Sequence, residues 1–471
     1  MNNKIQSELI KMKTIDFLVF IIYFAALISI GIVGVLKAKS SEKYMVADRN
    51  LGLFMLFGCL TAVFLGGSST IGTSQLGYEI GLSGFWFVFS LGVGITIFGL
   101  FLLDRIMDLQ VITISELLYR LFGHRVRVMG AVVTAMYTLM ICVTQVIAMG
   151  AVISQIFHWP MMTAILVGGS IVFVYTILGG MWTLSITDVI QFLVMTIGMF
   201  CIMLPMSLHS VGGLTSLFEQ MPASHLSFFN IGFGEIVNYF VTYTLGVMVG
   251  QDIWQRFFTG KTKRISKTSG VLVGLYSALY SIVMVIVGMC AYVLFPHIQN
   301  QNTQNVFAHM AFEILPNGLL GIVFAALIAA IMSTASGTLL ASATIISNDL
   351  LKPYVFKNME DHQFLGMTRL TTFILAIIAI IISIWVKEVL VAIDIAYAIL
   401  TGGIFMPVVL GLFIKRITPQ AAFYAMIASV IVVFIGIAIA GPQSTATIFY
   451  AILVNAIILL IMSRFQRKSA T

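Results

Sequence analysis

The sequence predicts an all-α membrane protein of about thirteen transmembrane helices, and three features carry that prediction. Hydrophobic residues make up 60% of the 471 and charged residues only 9%, whereas a soluble domain runs about 45–50% apolar and about 25% charged. Apolar runs of about twenty residues recur along the whole chain, the length that crosses a bilayer core as a helix. Basic residues gather in alternate connections between those runs, as the positive-inside rule describes. No polar stretch is long enough for an appended soluble domain, and there is no Walker-type glycine loop, which excludes kinase, nuclease and ATP-driven pump readings.

The spans are expected to begin near Ile15, Leu53, Gly84, Val128, Pro160, Thr183, Glu235, Lys267, Gly318, Met367, Val389, Pro419 and Thr445. The first, "IDFLVFIIYFAALISIGIVGVL", is too long for a signal-peptide core and lacks a small-x-small cleavage site, so it is expected to stay as a helix. Lys37, Lys39, Lys43 and Arg49 follow the first span, and Arg105, Arg120, Arg125 and Arg127 follow the third. Arg256, Lys261, Lys263, Arg264 and Lys267 follow the seventh. Of the 25 basic residues only Lys4, Lys11, Lys13 and Lys387 fall on the other side. The prediction is a multi-pass protein of the plasma (inner) membrane, N-terminus outside and C-terminus cytoplasmic. All bases then belong to connections, with none at a helix centre. The net charge of +7 is topological and implies no nucleic-acid partner. The lipid bilayer is the expected partner, with no obligate protein partner implied. Cys59, Cys142, Cys201 and Cys290 all sit in separate apolar runs, which suits packing and neither a metal motif nor a disulfide framework.

Two spans carry interruptions. In the second, "TAVFLGGSSTIGTSQLGYEIG" places Gly66, Gly67, Ser68, Ser69, Gly72, Thr73 and Gly77 within the expected helix. In the seventh, "VTYTLGVMVGQDIWQRFF" has Gly246 and Gly250 at mid-depth. Glycine costs about 1 kcal/mol against alanine in a helix, and broken backbone at membrane depth survives only where protein or a polar cavity satisfies it. The interrupted spans stand five apart, and paired broken helices at corresponding places mark the binding site of inverted-repeat transporters. One membrane domain is therefore expected over 1–471: an extra N-terminal helix at 15–37, a first repeat over 52–209, a second over 234–415, and extra C-terminal helices over 419–464.

The ninth span raises a separate question. In "AALIAAIMSTASGTLLASATIISNDL", Ala330, Ser333, Thr334, Gly337 and Ala341 share one face, being three and four residues apart. Small-xxx-small packing between helices accounts for such a stripe, with hydroxyls bonded back to their own helix. An ion site accounts for it as well.

These segments resemble the sodium:solute symporters, the family containing proline, sialic acid, galactose, pantothenate and choline transporters. The resemblance covers nearly the whole chain. It is carried by "SSEKYMVADRNLG" after the first span, "LGGMWTLSITDVIQ" leading into the sixth, "GQDIWQRFF" ending the seventh and "AAIMSTASGTLLASATIISNDL" in the ninth. It implies a leucine-transporter-type fold of five plus five inverted helices with extra helices at the ends, and sodium-coupled symport of a small organic solute by alternating access. Carried over by motif, it implies a sodium ion held by the backbone carbonyls of Ala62, Leu65 and Ala330 and the hydroxyls of Ser333 and Thr334. Sodium is a hard cation that takes oxygen ligands, and an unwound helix exposes carbonyls to it. Some members bind a second sodium with an aspartate matching Asp188 and serines matching Ser333 and Ser336. Here Gly337 stands where those members usually have a further serine. Asp188 in "LSITDVIQFLVM" either has a functional partner or faces water near the cytoplasmic end, because an ionised carboxylate at mid-bilayer costs at least about 2.5–3.5 kcal/mol.

The substrate-binding candidates are Phe64, Ser68 and Ser69 on the second span, Phe87 on the third, Thr144 and Gln145 on the fourth and Tyr243 on the seventh. Gln145 is a mid-span amide that needs partners, and an interhelical hydrogen bond would serve it as well as a solute. With no base at a helix centre, only broken-helix N-termini offer positive potential to a solute carboxylate. Glu79 and Glu235 are expected at the mouth. Local wording such as "GLSGFW" resembles the choline branch, yet Phe64 and Gly250 replace the tryptophans of a quaternary-ammonium cage. A neutral or zwitterionic solute is expected. A proton-coupled symporter on the same fold would need a titratable group at the ion site, for which Asp188 is the expected provider. A receptor or sensor of symporter descent would carry a signalling domain, for which the short C-terminus leaves no room. An enzyme is not expected: the seven histidines fall in or near loops and form no catalytic pair.

Overall fold

The computed structural model describes residues 12–37, 50–297, 303–356, 359–414, 416–442 and 444–468. Lys4, Lys11, Lys39, Lys43 and Arg49 lie outside them, as does most of the motif "SSEKYMVADRNLG". Among the described residues the fold is helical throughout, and the single strand-like bridge joins Leu51 to Gly260. Helix is what an apolar environment requires, because it satisfies the backbone N–H and C=O groups within one segment. Hydroxyls inside the spans follow the same logic: Thr61 bonds back to the Phe57 carbonyl at 2.7 Å, Thr176 to Val172 at 2.8 Å and Thr372 to Thr368 at 2.8 Å.

Helices start close to the expected positions. The first span is Thr14–Lys37, the third begins at Phe85, and the fourth is His124–Phe157. The eighth is Lys263–Leu294, the ninth Leu319–Ile345 and the tenth Asp361–Val386. The eleventh begins as Val389–Leu400, and Pro419–Ala440 and Thr445–Lys468 close the chain. Between the expected fifth and sixth spans the backbone stays helical, Met161–Thr196 running without interruption. Two short helices, Ile114–Phe122 and Val306–Ile314, occupy connections.

The second span runs as Leu53–Phe64, leaves helical geometry at Leu65 (φ −102°, ψ 75°) and resumes through a π turn, Ser68–Gly72, into Thr73–Ile80. The seventh runs from Gly232 to Val247, opens at Met248–Gly250 and resumes as Gln251–Phe257. Both interruptions fall on the glycines. The third span packs along the eighth and the fourth along the ninth, and the helix starting at Met161 packs on both the fourth and the ninth. The ninth span is buried along almost its whole length, while rings and branched chains such as Ile21, Phe101 and Phe373 are exposed on the outer helices, as a lipid-facing surface demands. Asp16 ties the first span to this core: its carboxylate accepts from the Gly318 and Gly321 amides at 2.7 and 2.8 Å, at the positive N-terminus of the ninth helix.

The two ends of the bundle differ. At one end Lys263 pairs with Asp108, Lys267 with Asp104, and Arg127 with Asp349 at 2.9 Å. At the other, Ser83 bonds the Ser227 carbonyl, Trp86 the Phe228 carbonyl, Tyr78 the Phe295 carbonyl, and Gln75 reaches Thr303. The charged connections therefore gather at one end and the lysine- and arginine-poor loops at the other.

Candidate functional site

The break in the second span faces the hydroxyl stripe of the ninth. Ser333 Oγ lies 2.7 Å from the Ala62 carbonyl oxygen and 2.9 Å from that of Ala330. Thr334 Oγ1 lies 2.8 Å from the Val63 carbonyl oxygen, 3.3 Å from that of Ala330 and 3.5 Å from that of Ala62. Two hydroxyls from one helix thus reach across to the last carbonyls of another. Gly66 makes that approach possible, since a Cβ there would stand 2.4 Å from Thr334 Oγ1 and 2.7 Å from Gln145 Oε1. The cluster is buried, contains only neutral oxygens, and sits where the backbone leaves the helix. That donor set suits a hard monovalent cation that must also depart. Val63 joins it as a neighbour that motif matching did not supply.

Gln145 has a structural task. Its Oε1 accepts from the Gly67 amide at 2.7 Å, and its Nε2 donates to Thr144 Oγ1 at 2.7 Å and to Ser68 Oγ at 3.4 Å. The fourth span thereby satisfies the first amide of the resumed helix, which the break would otherwise strand. Of the substrate candidates, Gln145, Thr144 and Ser68 gather around this prop, and Phe64 and Ser69 are buried in the same region.

A cavity of about 820 Å³ opens at the loop end poor in bases and descends beside the resumed half of the second span. Phe87 and Tyr243 line it, as do Glu79 and Glu235, expected at the mouth. Sequence reasoning did not anticipate Tyr239, Glu388 and Asp394 in its wall. The Tyr243 hydroxyl donates to Asp394 Oδ1. Asp394 is the lone charge in "VLVAIDIAYAIL", and an ionisable residue inside an apolar span was the available signal. It adds to Asp188 a second carboxylate within an apolar span, standing in the cavity wall.

Asp188 lies deeper and is fully buried, which removes the reading of a solvated end residue. Its Oδ2 accepts from Arg256 Nη2 at 3.2 Å and lies 3.2 Å from Cys59 Sγ. Ser336 Oγ bonds back to the Ser333 carbonyl at 3.1 Å. The expectation that every base occupies a connection fails at Arg256, which is fully buried on the resumed half of the seventh span. A Cβ on Gly337 would stand 2.9 Å from its Nη2. The glycine that departs from the serine pattern thus leaves the space this guanidinium fills.

Comparison with known proteins agrees with this architecture. The profile of the sodium:solute symporter family matches residues 44–429. A sodium/glucose cotransporter of Vibrio parahaemolyticus is 26% identical over 460 residues, covering 88% of this chain and 84% of the relative. A sodium/proline symporter of Haemophilus influenzae is 25% identical over 447 residues, covering 88% and 86%. A solved structure of the substrate-bound outward-open state of a Na+-coupled sialic acid symporter aligns with a TM-score of 0.83 at 18% identity, over 96% of this chain and 98% of that one. The nucleobase-cation-symport-1 transporter Mhp1, closed with bromovinylhydantoin bound, aligns with a TM-score of 0.60 at 14% identity, over 90% and 95%. At these identities the structural likeness is one of fold, the leucine-transporter type expected above.

Proposed function

The chain belongs to the sodium:solute symporter family, and from that membership we propose that it takes up a small organic solute together with sodium across a cell membrane, by alternating access. It is a transporter and not an enzyme. Sodium is the co-transported ion, held by the carbonyls of Ala62, Leu65 and Ala330 and the hydroxyls of Ser333 and Thr334. The observation that carries this reading is the meeting of those two hydroxyls with the carbonyls of the broken second span.

The coupling follows from chain continuity. Beyond the break, the same span supplies Gln75, Leu76 and Glu79 to the cavity wall. An ion that clasps the second span to the ninth fixes where that wall stands, so the solute meets its site formed when sodium is bound. The ion can act on the solute only through this coupling, and the solute acts back on the ion by the same factor. The cavity end is outside and the basic end cytoplasmic. Spans two to six and seven to eleven form the two inverted repeats, each opening with a broken helix.

The test is a sodium titration of thermal stability on purified protein, with potassium as the balancing salt at fixed pH. Ser333→Ala and Thr334→Ala each remove one oxygen from the cluster, and each is expected to raise the sodium midpoint at least about tenfold, about 1.4 kcal/mol. Ser342→Ala and Thr344→Ala are the controls. Both hydroxyls are buried on the same helix, Ser342 bonded to the Ala135 carbonyl at 3.2 Å and Thr344 to Gln255 at 3.5 Å, away from the break. Equal effects from both pairs would reduce the stripe to packing. A stabilisation that followed pH and ignored sodium would replace sodium by the proton.

A further inference from the structure

We infer that the solute carried in the 820 Å³ cavity is a small organic cation, its ammonium group seated against Asp394 and the rings of Phe87, Tyr239 and Tyr243. This rests on the transport reading above and names the class of solute within it. Three independent features of the cavity lead there.

The first is charge. Among the described residues Glu79, Glu235, Glu388 and Asp394 line the cavity, and no lysine, arginine or histidine does. Lys387 adjoins Glu388 in the chain but is exposed and is not part of the wall. A solute carboxylate would meet only like charge on its way in, whereas a cation is drawn in, and like-sign clefts focus that field.

The second is the balance of donors and acceptors. The donors of the wall are largely spent on its carboxylates. Gln75 Nε2 donates to Glu79 at 3.1 Å, Thr303 also donates to Glu79, Asn238 donates to Glu235 at 3.4 Å, and Tyr243 to Asp394. A polyol needs donors and acceptors in similar number. This wall offers mainly acceptors. The amide at the break that would receive an amino-acid carboxylate, that of Gly67, is already bonded to Gln145. The wall therefore favours the ammonium group of a zwitterion over its carboxylate.

The third is the aromatic wall. Tyr239 and Tyr243 stack at 5.7 Å between centroids, and Phe87 stands edge-on to Tyr243 at 5.0 Å. Tyr397 meets Tyr243 from the other side at 5.2 Å. Phe87 and Tyr243 are buried within this wall. Rings around a carboxylate attract a cation through their negative faces and exclude water from it. The tryptophans whose absence argued against such a solute are not needed, because phenylalanine and tyrosine supply the same faces from the third and seventh spans.

The experiment measures thermal shifts of purified protein at saturating sodium. The probes are choline, ethanolamine, putrescine and guanidine, with 3,3-dimethylbutan-1-ol as the uncharged isostere of choline, and proline and glucose as the zwitterionic and neutral solutes. At least one cation is expected to stabilise the protein where the isostere, proline and glucose do not. Asp394→Asn is expected to raise that cation's midpoint at least tenfold while the sodium-dependent shift persists, which shows the variant folded, and Asp394→Glu is expected to restore part of the affinity. Stabilisation by proline or glucose alone, an undiminished cation response in Asp394→Asn, or no response to any cation would each overturn the assignment. So would loss of the sodium shift in Asp394→Asn together with no cation response, since the carboxylate would then serve the inorganic ion. Wild-type protein that ignores sodium but answers a cation would sink the sodium reading alone, because cations and isostere are compared within one salt.

Discussion

At the scale of single residues, the deepest commitment in the molecule is the Asp188–Arg256 pair, both members fully buried. Each charge is tolerable only while the other is present: removing one partner of a buried pair costs about 3–5 kcal/mol, since it strands the remaining charge. Arg256→Gln is therefore expected to lower thermal stability by that order in detergent, and Asp188→Asn combined with it to recover part of the loss. An Arg256→Gln protein as stable as wild type would show that the pair holds nothing together. Gly337→Ser sets a Cβ into the space of the guanidinium, 2.9 Å from Nη2, and is expected to destabilise in the same direction. Asp188 could be singled out in the sequence because a carboxylate inside an apolar span asks for a partner. Its partner could not, because "GQDIWQRFFTGK" reads as the basic end of a helix entering a connection. Only the packing of the seventh span's resumed half against the second and ninth draws Arg256 inside. Asp394 carried the same signal as Asp188 and was equally legible.

At the scale of elements, the two broken spans follow from glycine placement, and their positions could be read directly from "FLGGSST" and "MVGQD". What sequence could not supply is the register between helices. That Gln145 of the fourth span meets the Gly67 amide of the second, and Thr334 of the ninth the Val63 carbonyl, depends on how three helices slide past one another, and apolar patterning leaves that slide undetermined. The break is thus a three-helix device, and it has a sharp steric condition. Gly66→Ala forces a methyl group to within 2.4 Å of Thr334 Oγ1 and 2.7 Å of Gln145 Oε1, neither of which is free to leave. The sodium midpoint is expected to rise at least tenfold with the helix content by circular dichroism unchanged. Gly52→Ala, where a Cβ meets nothing within 4 Å, is the matched control. A Gly66→Ala protein with the wild-type sodium midpoint would mean that the oxygen cluster does not bind the ion.

At the scale of the whole molecule, the asymmetry of the two ends sets what an orientation experiment is expected to find. At the basic end ion pairs join Lys263 to Asp108 and Lys267 to Asp104, and the Asp188–Arg256 pair lies sealed within the helices. The other end opens into the carboxylate-lined cavity. Under the orientation proposed above, with the basic loops retained on the cytoplasmic side, the cavity end is the outer one and the cavity is the outward opening of the proposed transport path. Single cysteines replacing Lys263 and Gln220, both at the bundle ends, are expected to behave oppositely toward an impermeant maleimide on intact cells: Gln220→Cys labels and Lys263→Cys does not. Asn238→Cys, in the cavity wall, should label from outside as well, and more slowly once a transported solute occupies the cavity, because the solute both blocks the wall and draws the carrier toward its closed and inward-facing states. Labelling of Lys263→Cys from outside would invert the molecule and with it the direction of uptake. Labelling of Asn238→Cys that no solute slows, at a rate matching Gln220→Cys, would leave the cavity a surface depression outside the transport path.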